Sequence, residues 1–235
     1  MYARLIDEVV DFHDDLVRNI KGIRESQTLF DDLSDDAADH AVAIAAESAE
    51  RMPSEAPLLT RPFDFGAVIS YPFVHFNGQR TRFSDGLSYG VWYGSLEFET
   101  TVYETVHHWE EFVADSYATE DREIVGERRV FRARCDAILI DLRGKVRGEG
   151  RLVDRRNYRF TQEFGRYLKE QNQNGLLTHS ARCSGTNAPI FNPGALSRVR
   201  DLCFLTYRMN PTKDLVRVER TSGRRWMGIR PSSLR

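Results

Sequence analysis

Two closely spaced arginines in the middle of the chain could bind a phosphorylated ligand. Arg80 and Arg82 alternate with Thr81 in the stretch RTRFSDG, so both side chains point to one face if the segment is extended. Paired guanidinium groups suit the forked capture of phosphate oxygens. Two arginines at this spacing are also common on an ordinary charged surface, and their spacing alone leaves both interpretations open.

A glutamate with catalytic potential lies on the polar side of a predicted helix, SLEFETTVYETVHHWEEFV. The apolar side of this helix consists of five residues that are three or four positions apart: Phe98, Val102, Val106, Trp109 and Val113. Glu104 is two residues from Val102, about 200° around the helix, and therefore points away from the apolar side. Periodicity alone favours a solvated polar face for Glu104.

Other polar residues give weaker indications of chemistry. His107 and His108 are adjacent potential metal ligands, but no third ligand stands at a recognisable spacing, so no metal is expected. Ser180 lies in GLLTHSARCSG without a surrounding GxSxG motif, which argues against a serine hydrolase.

Composition excludes several classes of protein. The 235 residues carry a formal net charge of -2, which gives no general attraction to nucleic acid or to anionic lipid. The three cysteines are widely spaced without a CxxC pair, which fits a reducing compartment and argues against a disulfide framework. Early charges argue against a signal peptide, and no apolar run approaches membrane-spanning length, so a cytoplasmic protein is expected.

The pattern of apolar residues changes along the chain and predicts two parts, an N-terminal extension and a catalytic domain. Apolar residues recur at helical spacing from Tyr2 to about Ile23, and the alanine-rich AVAIAAESAERM follows, so residues 1–60 predict a helical N-terminal extension. The stretch PSEAPLLTRPF predicts a linker because of its prolines. The catalytic domain is then expected over residues 61–235.

The second region is predicted to be an α+β domain. AVISYPFVHF predicts an edge strand or a bulge because of Pro72, and GVWYG, VFRARCDAILIDL, DLCFLTYRM and DLVRVER predict further strands. Besides the helix that carries Glu104, a second helix is predicted near FTQEFGRYLKEQNQ. Strands that mostly follow strands favour a fold built on antiparallel sheet.

Taken in order, these motifs resemble the RES-domain family. The family pattern is matched by the arginine in RTRFSDG, the GVWY strand, the helix start ETTVYET, and GLLTHSAR followed by NP, from about Tyr71 to about Glu219. The resemblance implies an ADP-ribosyltransferase-like fold with a mixed or antiparallel β core. It also implies a bacterial toxin, commonly paired with an Xre-type antitoxin.

The resemblance implies roles for individual residues. Arg82 matches the arginine that grips the dinucleotide, Tyr93 matches the strand tyrosine eleven residues later, and Glu104 matches the helix glutamate. Ser180 matches the late serine. These four are the expected catalytic residues.

Further residues are candidates for binding the dinucleotide. The family usually opens with a strand that carries an arginine and a tyrosine, whereas AVISYPF has Tyr71 and no arginine. Arg80 is the candidate substitute for the missing arginine. Arg182 and Asn187, near Ser180, complete the expected binding set together with Arg82.

The resemblance implies NAD+ as the substrate, cleaved between nicotinamide and ribose with water or phosphate as the acceptor. Two alternatives stay open: a protein ADP-ribosyltransferase that uses NAD+, and a non-catalytic dinucleotide-binding module. The expected partner is a cognate antitoxin, and self-association is left open. Direct binding to nucleic acid or to a membrane is not expected.

Overall fold

Eight strands and three helices are found in the part of the chain that the computed structural model describes, residues 2–22, 65–78, 80–117 and 121–235. Residues 2–22 belong to the same compact unit as residues 65–235. The strands are β1 (Val9–Lys21), β2 (Trp92–Ser95), β3 (Ile124–Asp141), β4 (Leu176–His179), β5 (Thr186–Ile190), β6 (Leu196–Met209), β7 (Val216–Thr221) and β8 (Arg224–Ile229). The helices are α1 (Phe65–Val74), α2 (Phe98–Tyr117) and α3 (Arg159–Glu170).

All eight strands belong to one mixed sheet, in the order β1-β2-β5-β4-β3-β6-β7-β8. The pairing of β3 with β4 is parallel, and the other pairings are antiparallel. Because β1 pairs with β3 as well as β2, strands β1, β2, β5, β4 and β3 close into a ring of pairings. The predicted α+β architecture is thereby confirmed.

One row of residues crosses four neighbouring strands of this ring. Val17 on β1 pairs with Ser95 on β2, Ser95 pairs with Asn187 on β5, and Asn187 pairs with Thr178 on β4. Residues directly opposite each other in antiparallel strands point to the same face of the sheet. The row therefore brings three polar side chains from distant parts of the sequence to one face.

The helix predicted from Tyr2 to about Ile23 is wrong, because most of this segment forms β1. All thirteen residues of β1 are paired with β3, from Val9 with Ile140 to Lys21 with Arg128. Local helical spacing is a weak signal beside a continuous ladder of backbone hydrogen bonds with a distant strand. The second predicted helix, AVAIAAESAERM, lies outside the described residues.

The edge strand or bulge predicted at AVISYPFVHF is also wrong, since most of this segment lies in helix α1, which contains Pro72. Pro72 has no N–H, so the carbonyl of Val68, four residues earlier, lacks its backbone donor. Trp92 Nε1 donates to that carbonyl at 3.0 Å. Gly90 permits the close approach of the chain before β2, because a Cβ there would lie 1.9 Å from the Pro72 carbonyl oxygen.

The remaining predicted elements are confirmed. They are β2, β3, β6, β7, α2 and α3. The apolar side of α2 packs as predicted, since Val102, Val106, Trp109 and Val113 are buried in one hydrophobic cluster with residues of β6 and β7. The short strands β4 and β5 and the C-terminal β8 were not recognised as separate strands.

None of the helices among the described residues has the length and apolarity needed to cross a membrane.

Candidate functional site

A cavity of about 290 Å³, here called the inner cavity, lies where the row of paired residues meets the first half of α2. Val17, Ser95, Asn187 and Thr178 all line it, and Glu104 lines it from the helix. Three arginines complete its charged lining: Arg18, Arg82 and Arg128. The predicted residues Arg82, Tyr93, Glu104 and Asn187 therefore converge on one cavity, and Ser180 reaches it through a contact with Glu104.

The carboxylate of Glu104 is held by two donors on one of its oxygens. Ser180 Oγ and Asn187 Nδ2 each donate to Glu104 Oε1 at 2.6 Å. Within the described residues, no hydrogen bond uses Oε2. Glu104 is thus fixed at one oxygen, and the other oxygen is available to a ligand in the cavity.

Ser95 determines which way the amide of Asn187 faces. Ser95 Oγ, which is buried, donates to Asn187 Oδ1 at 2.8 Å, so the Nδ2 group is directed at Glu104. Both residues belong to the row of paired strands, and Ser95 precedes α2 by three positions. The sequence pattern did not identify Ser95 as a site residue.

Arg82 lies in the loop that precedes β2, and Tyr93 on β2 contacts the residues on either side of Arg82. The Arg82 guanidinium donates to the Asp154 carbonyl at 2.6 Å and lies over the ring of Tyr158, 4.5 Å from its centroid. The Tyr93 hydroxyl donates to Thr81 Oγ1 at 3.1 Å and accepts from the Phe83 N–H at 2.7 Å. Burial raises the pKa of Tyr93, so this hydroxyl is neutral and ties the arginine-bearing loop to the strand.

Arg18 is a site residue that sequence analysis missed. Its Nη1 donates to the Tyr93 carbonyl at 2.9 Å, and its guanidinium lies 5.1 Å from the centroid of the Trp92 ring. Burial lowers the pKa of Arg18 to about 10, which leaves it charged at neutral pH. The segment had been predicted as a helix, and therefore no signal placed this arginine beside the cavity.

The inner cavity favours an anionic ligand. Among the described residues that line it, three arginines, Arg18, Arg82 and Arg128, accompany a single carboxylate, that of Glu104. Burial lowers the pKa of both Arg82 and Arg128, which indicates that their charges are poorly solvated and would be stabilised by a bound anion.

Unsatisfied polar atoms also gather in this cavity. Arg18 Nε, Asn19 Oδ1 and Thr178 Oγ1 are buried and have no hydrogen-bond partner among the described residues, and all three residues line the cavity. Buried polar groups normally find a partner, so such a cluster indicates a place where a ligand supplies the bonds.

Three residues predicted to bind the dinucleotide lie outside the inner cavity. Tyr71 is exposed on α1, with its ring 4.6 Å from that of His75. Arg80 donates to Gln162 Oε1 at 3.2 Å, so it does not replace the first-strand arginine in the cavity. The guanidinium of Arg182 is buried, and it donates to the Leu234 carbonyl at 2.6 Å and to the Tyr158 hydroxyl at 2.7 Å. Arg182 therefore anchors the C-terminus.

A second cavity of about 720 Å³, here called the outer cavity, adjoins the first. His108 and Tyr158 line both cavities. The outer cavity is formed by the second half of α2, the segment that contains Arg155 and Arg156, and the C-terminal Arg235. Arg80 and Arg182 line it as well.

The histidine pair has a third potential metal ligand nearby, contrary to the sequence interpretation. Ligand atoms of His107, His108 and Glu111 lie within 4.8 Å of one another. Glu111 Oε1 is 3.6 Å from His107 Nε2, and Oε2 is 3.8 Å from His108 Nδ1. His107 Nδ1 is buried without a partner among the described residues, whereas histidine ligands usually donate their second nitrogen to an acceptor. The expectation that no metal binds remains a prediction.

Comparison with known proteins places the chain in a family. The crystal structure of the M. tuberculosis MbcT–MbcA toxin–antitoxin complex contains a chain with 14% sequence identity and a TM-score of 0.44, covering 83% of this chain and 86% of that one. Among curated proteins, no sequence matches this chain significantly. The family model of the RES domain matches residues 58–210, which include Arg82, Tyr93, Glu104, Ser180 and Asn187. This chain belongs to the RES domain family.

Proposed function

We propose that this protein is the toxin of a toxin–antitoxin system and that it cleaves NAD+ between nicotinamide and ribose. The observation that carries the proposal is the position of Glu104. Its carboxylate is fixed by Ser180 and Asn187 inside a cavity where the other charged side chains, among the described residues, are arginines, with the His108 imidazole beside them. This arrangement suits a ligand that is anionic at its diphosphate and becomes cationic at a sugar carbon.

Binding begins with the diphosphate. NAD+ carries two negative charges on its phosphates, and guanidinium groups pair with phosphate oxygens through forked, charge-assisted hydrogen bonds. Arg82 is at the edge of the inner cavity beside Tyr158, where it would meet the diphosphate. Arg18 and Arg128 add positive charge to the lining of the same cavity.

Cleavage then proceeds by departure of nicotinamide. The electron pair of the bond between the ring nitrogen and the anomeric carbon leaves with nicotinamide, which becomes neutral and needs no proton from a general acid. The ribose is left as an oxocarbenium-like cation, as in glycosidic cleavage generally. Glu104 Oε2 would stabilise this cation and accept a hydrogen bond from a ribose hydroxyl. Preorganised groups of this kind contribute about 3–4 kcal/mol to transition-state stabilisation.

The acceptor completes the reaction. Attack by water releases a proton and yields ADP-ribose, whereas attack by inorganic phosphate yields the corresponding sugar phosphate. Asn19 Oδ1 and Thr178 Oγ1, which have no partner among the described residues, would bond the carboxamide or the ribose hydroxyls while the acceptor enters. A protein side chain as acceptor would make the same cavity an ADP-ribosyltransferase, which product analysis distinguishes.

Loss of NAD+ would harm the cell, which is why an antitoxin is the expected partner. An enzyme that depletes NAD+ in the cytoplasm would harm the cell that makes it, so we propose that a bound antitoxin, Xre-type by family resemblance, covers the cavity until it is removed. Expression of the free protein in bacteria is expected to arrest growth and to lower cellular NAD+.

The test replaces Glu104 without changing its size. Glu104→Gln is expected to lower nicotinamide release from NAD+ by about 100- to 1,000-fold, since it removes the negative charge from the cavity. Glu99→Gln is the matched control, because Glu99 is an exposed glutamate on the same helix. Equal turnover by wild type and Glu104→Gln, or no turnover by wild type, would overturn the proposal.

A further inference from the structure

The inner cavity is too small for a whole dinucleotide. Cavities that enclose a drug-sized ligand span roughly 300–1,000 Å³, and the inner cavity, at about 290 Å³, is just below that range. NAD+ consists of two nucleotides joined through their phosphates. The nicotinamide riboside half fits beside Glu104, and the diphosphate and adenosine must extend out of the inner cavity.

The outer cavity begins where the second nucleotide would emerge. His108 and Tyr158 line both cavities, so the two cavities are neighbours on either side of these side chains. His108 follows Glu104 by one helical turn, about 6 Å along the axis of α2. That distance corresponds to the step from the reacting sugar carbon, beside Glu104, across the ribose to the first phosphate.

We propose that the outer cavity binds the adenosine diphosphate half of NAD+ and that Arg156 is the residue that pairs with its phosphates. The inference rests on the proposed function, since it assumes that the nicotinamide riboside half occupies the inner cavity. Arg82 lies over the ring of Tyr158, at the junction of the two cavities, and can contact the diphosphate as it passes.

Arg156 differs from the other arginines that line the outer cavity. Arg155 donates to the carbonyl of Arg235 at 2.9 Å, and Arg235 in turn pairs with Glu110. Arg182 is occupied by the contacts that anchor the C-terminus. The guanidinium of Arg156 is exposed and makes no hydrogen bond to a described residue, so it can bind a phosphate without breaking an existing contact.

The far end of the outer cavity has the opposite charge. Glu111 and Asp115 line it, seven and eleven residues beyond Glu104, which is about 10 and 16 Å along α2. Carboxylates accept hydrogen bonds from ribose hydroxyls and from exocyclic amines, both of which adenosine offers. Glu104 lines the inner cavity, arginines line both cavities, and Glu111 and Asp115 line the outer cavity farther along α2, so the ribose, the diphosphate and the adenosine each have a complementary group.

The experiment compares two substrates that differ only in the adenosine diphosphate half. Nicotinamide riboside contains the same scissile bond as NAD+ and lacks both the phosphates and the adenosine. Arg156→Ala is expected to raise the KM for NAD+ about tenfold, the effect of losing one charged hydrogen bond, and to change the KM for the riboside at least fivefold less. Arg159→Ala is the control, because Arg159 is exposed, pairs with Glu163 and is outside the outer cavity.

Binding of ADP separates failure of the subsite from failure of the proposed function. ADP affinity, measured by titration calorimetry, is expected to fall about tenfold in Arg156→Ala and to stay unchanged in Arg159→Ala. Loss of ADP binding in Arg156→Ala with no NAD+ turnover by wild type would contradict the proposed activity alone. Turnover of NAD+ with the same KM in Arg156→Ala and wild type, or equal KM changes for both substrates, would overturn the subsite.

Discussion

The inner and outer cavities differ in how their polar groups are satisfied. Around the inner cavity, the hydrogen bonds of Ser95, Asn187 and Ser180 fix one oxygen of Glu104. Buried atoms of Arg18, Asn19 and Thr178 have no partner in the part of the chain that the structure describes. Around the outer cavity, most arginines already donate to backbone carbonyls or to Glu110, and Arg156 is exposed.

This difference suggests that the inner cavity stabilises the transition state and that the outer cavity contributes to substrate affinity. The inner cavity is built on paired strands and the start of a helix, which hold side chains rigidly, and buried unsatisfied groups raise the energy of the unliganded site. Such a site can favour a transition state, because its groups need little reorganisation when charge develops. The outer cavity is built on a helix face, an irregular segment and the C-terminus, and its exposed arginine can contribute mainly to affinity. Changes in the inner cavity should therefore lower kcat, and changes in the outer cavity should raise KM.

After substitution of Glu104 itself, substitution of Asn187 is expected to lower kcat the most. Asn187→Leu removes a 2.6 Å donor from Glu104 Oε1 and also leaves the buried Ser95 hydroxyl without its acceptor. Loss of a hydrogen bond to a charged group costs about 1.5–3 kcal/mol, so kcat should fall by roughly 10- to 100-fold. The fall in kcat is measured by steady-state release of nicotinamide. An effect confined to KM would contradict the assignment of this network to the transition state.

A smaller effect is expected at Ser95, which acts on Glu104 only through Asn187. Ser95→Ala should lower kcat about fivefold, because the Asn187 amide loses the bond that fixes its orientation, at a cost of about 1 kcal/mol. Adding Ser95→Ala to Asn187→Leu should then lower kcat little further, since the two residues share one pathway. Melting temperatures of the variants separate this positioning role from a general loss of stability. Fully additive effects on kcat would show that Ser95 does not act through Asn187.

The smallest expected effect is on the pH dependence of stability, and it comes from His107, which lines the outer cavity. Burial, reinforced by the positive charge of Arg182, lowers the pKa of His107 to about 4, although Glu111 lies 3.6 Å away. Between pH 6.5 and 4 the unfolded chain binds a proton at His107 that the folded protein does not bind, so the free energy of unfolding decreases as pH falls through this window. The contribution of His107 is about 1–2 kcal/mol.

Chemical denaturation at pH 7 and at pH 4.5 measures this effect. His107→Gln should show a smaller loss of stability on acidification than the wild type, whereas His108→Gln, at the exposed neighbouring position, should keep the wild-type loss. An unchanged pH dependence in His107→Gln would show that His107 does not set this part of the profile.

Helix α2 shows what local sequence patterns can predict. Its apolar stripe is a property of residues within a few turns of one another, and burial of Val102 and Val106 follows from that spacing alone. Because Glu104 is opposite this stripe, its side was predictable too. The contacts of Glu104 with Ser180 and Asn187 were not, since these residues are 76 and 83 positions away.

Strand β1 and helix α1 show where local patterns fail. Apolar residues of β1 recur at spacings that also suit a helix, and the pairing partner in β3 is more than 100 residues away. In α1, Pro72 predicts a break, yet Trp92 satisfies the carbonyl that Pro72 leaves without a donor. Both errors arose because a distant segment supplied the hydrogen bonds, and the first of them concealed Arg18.

The sequence by itself determined the α+β class, the amphipathic helix α2, the strand of Tyr93, and the order of arginine, tyrosine, glutamate and serine that indicated the family. These features depend on residue types and on short-range spacing. Only the tertiary structure decided that Arg18 joins Arg82 at the inner cavity, that Arg80 and Arg182 do not, and that Ser95 orients Asn187. These outcomes depend on strand register and on contacts between remote segments, which no local pattern specifies.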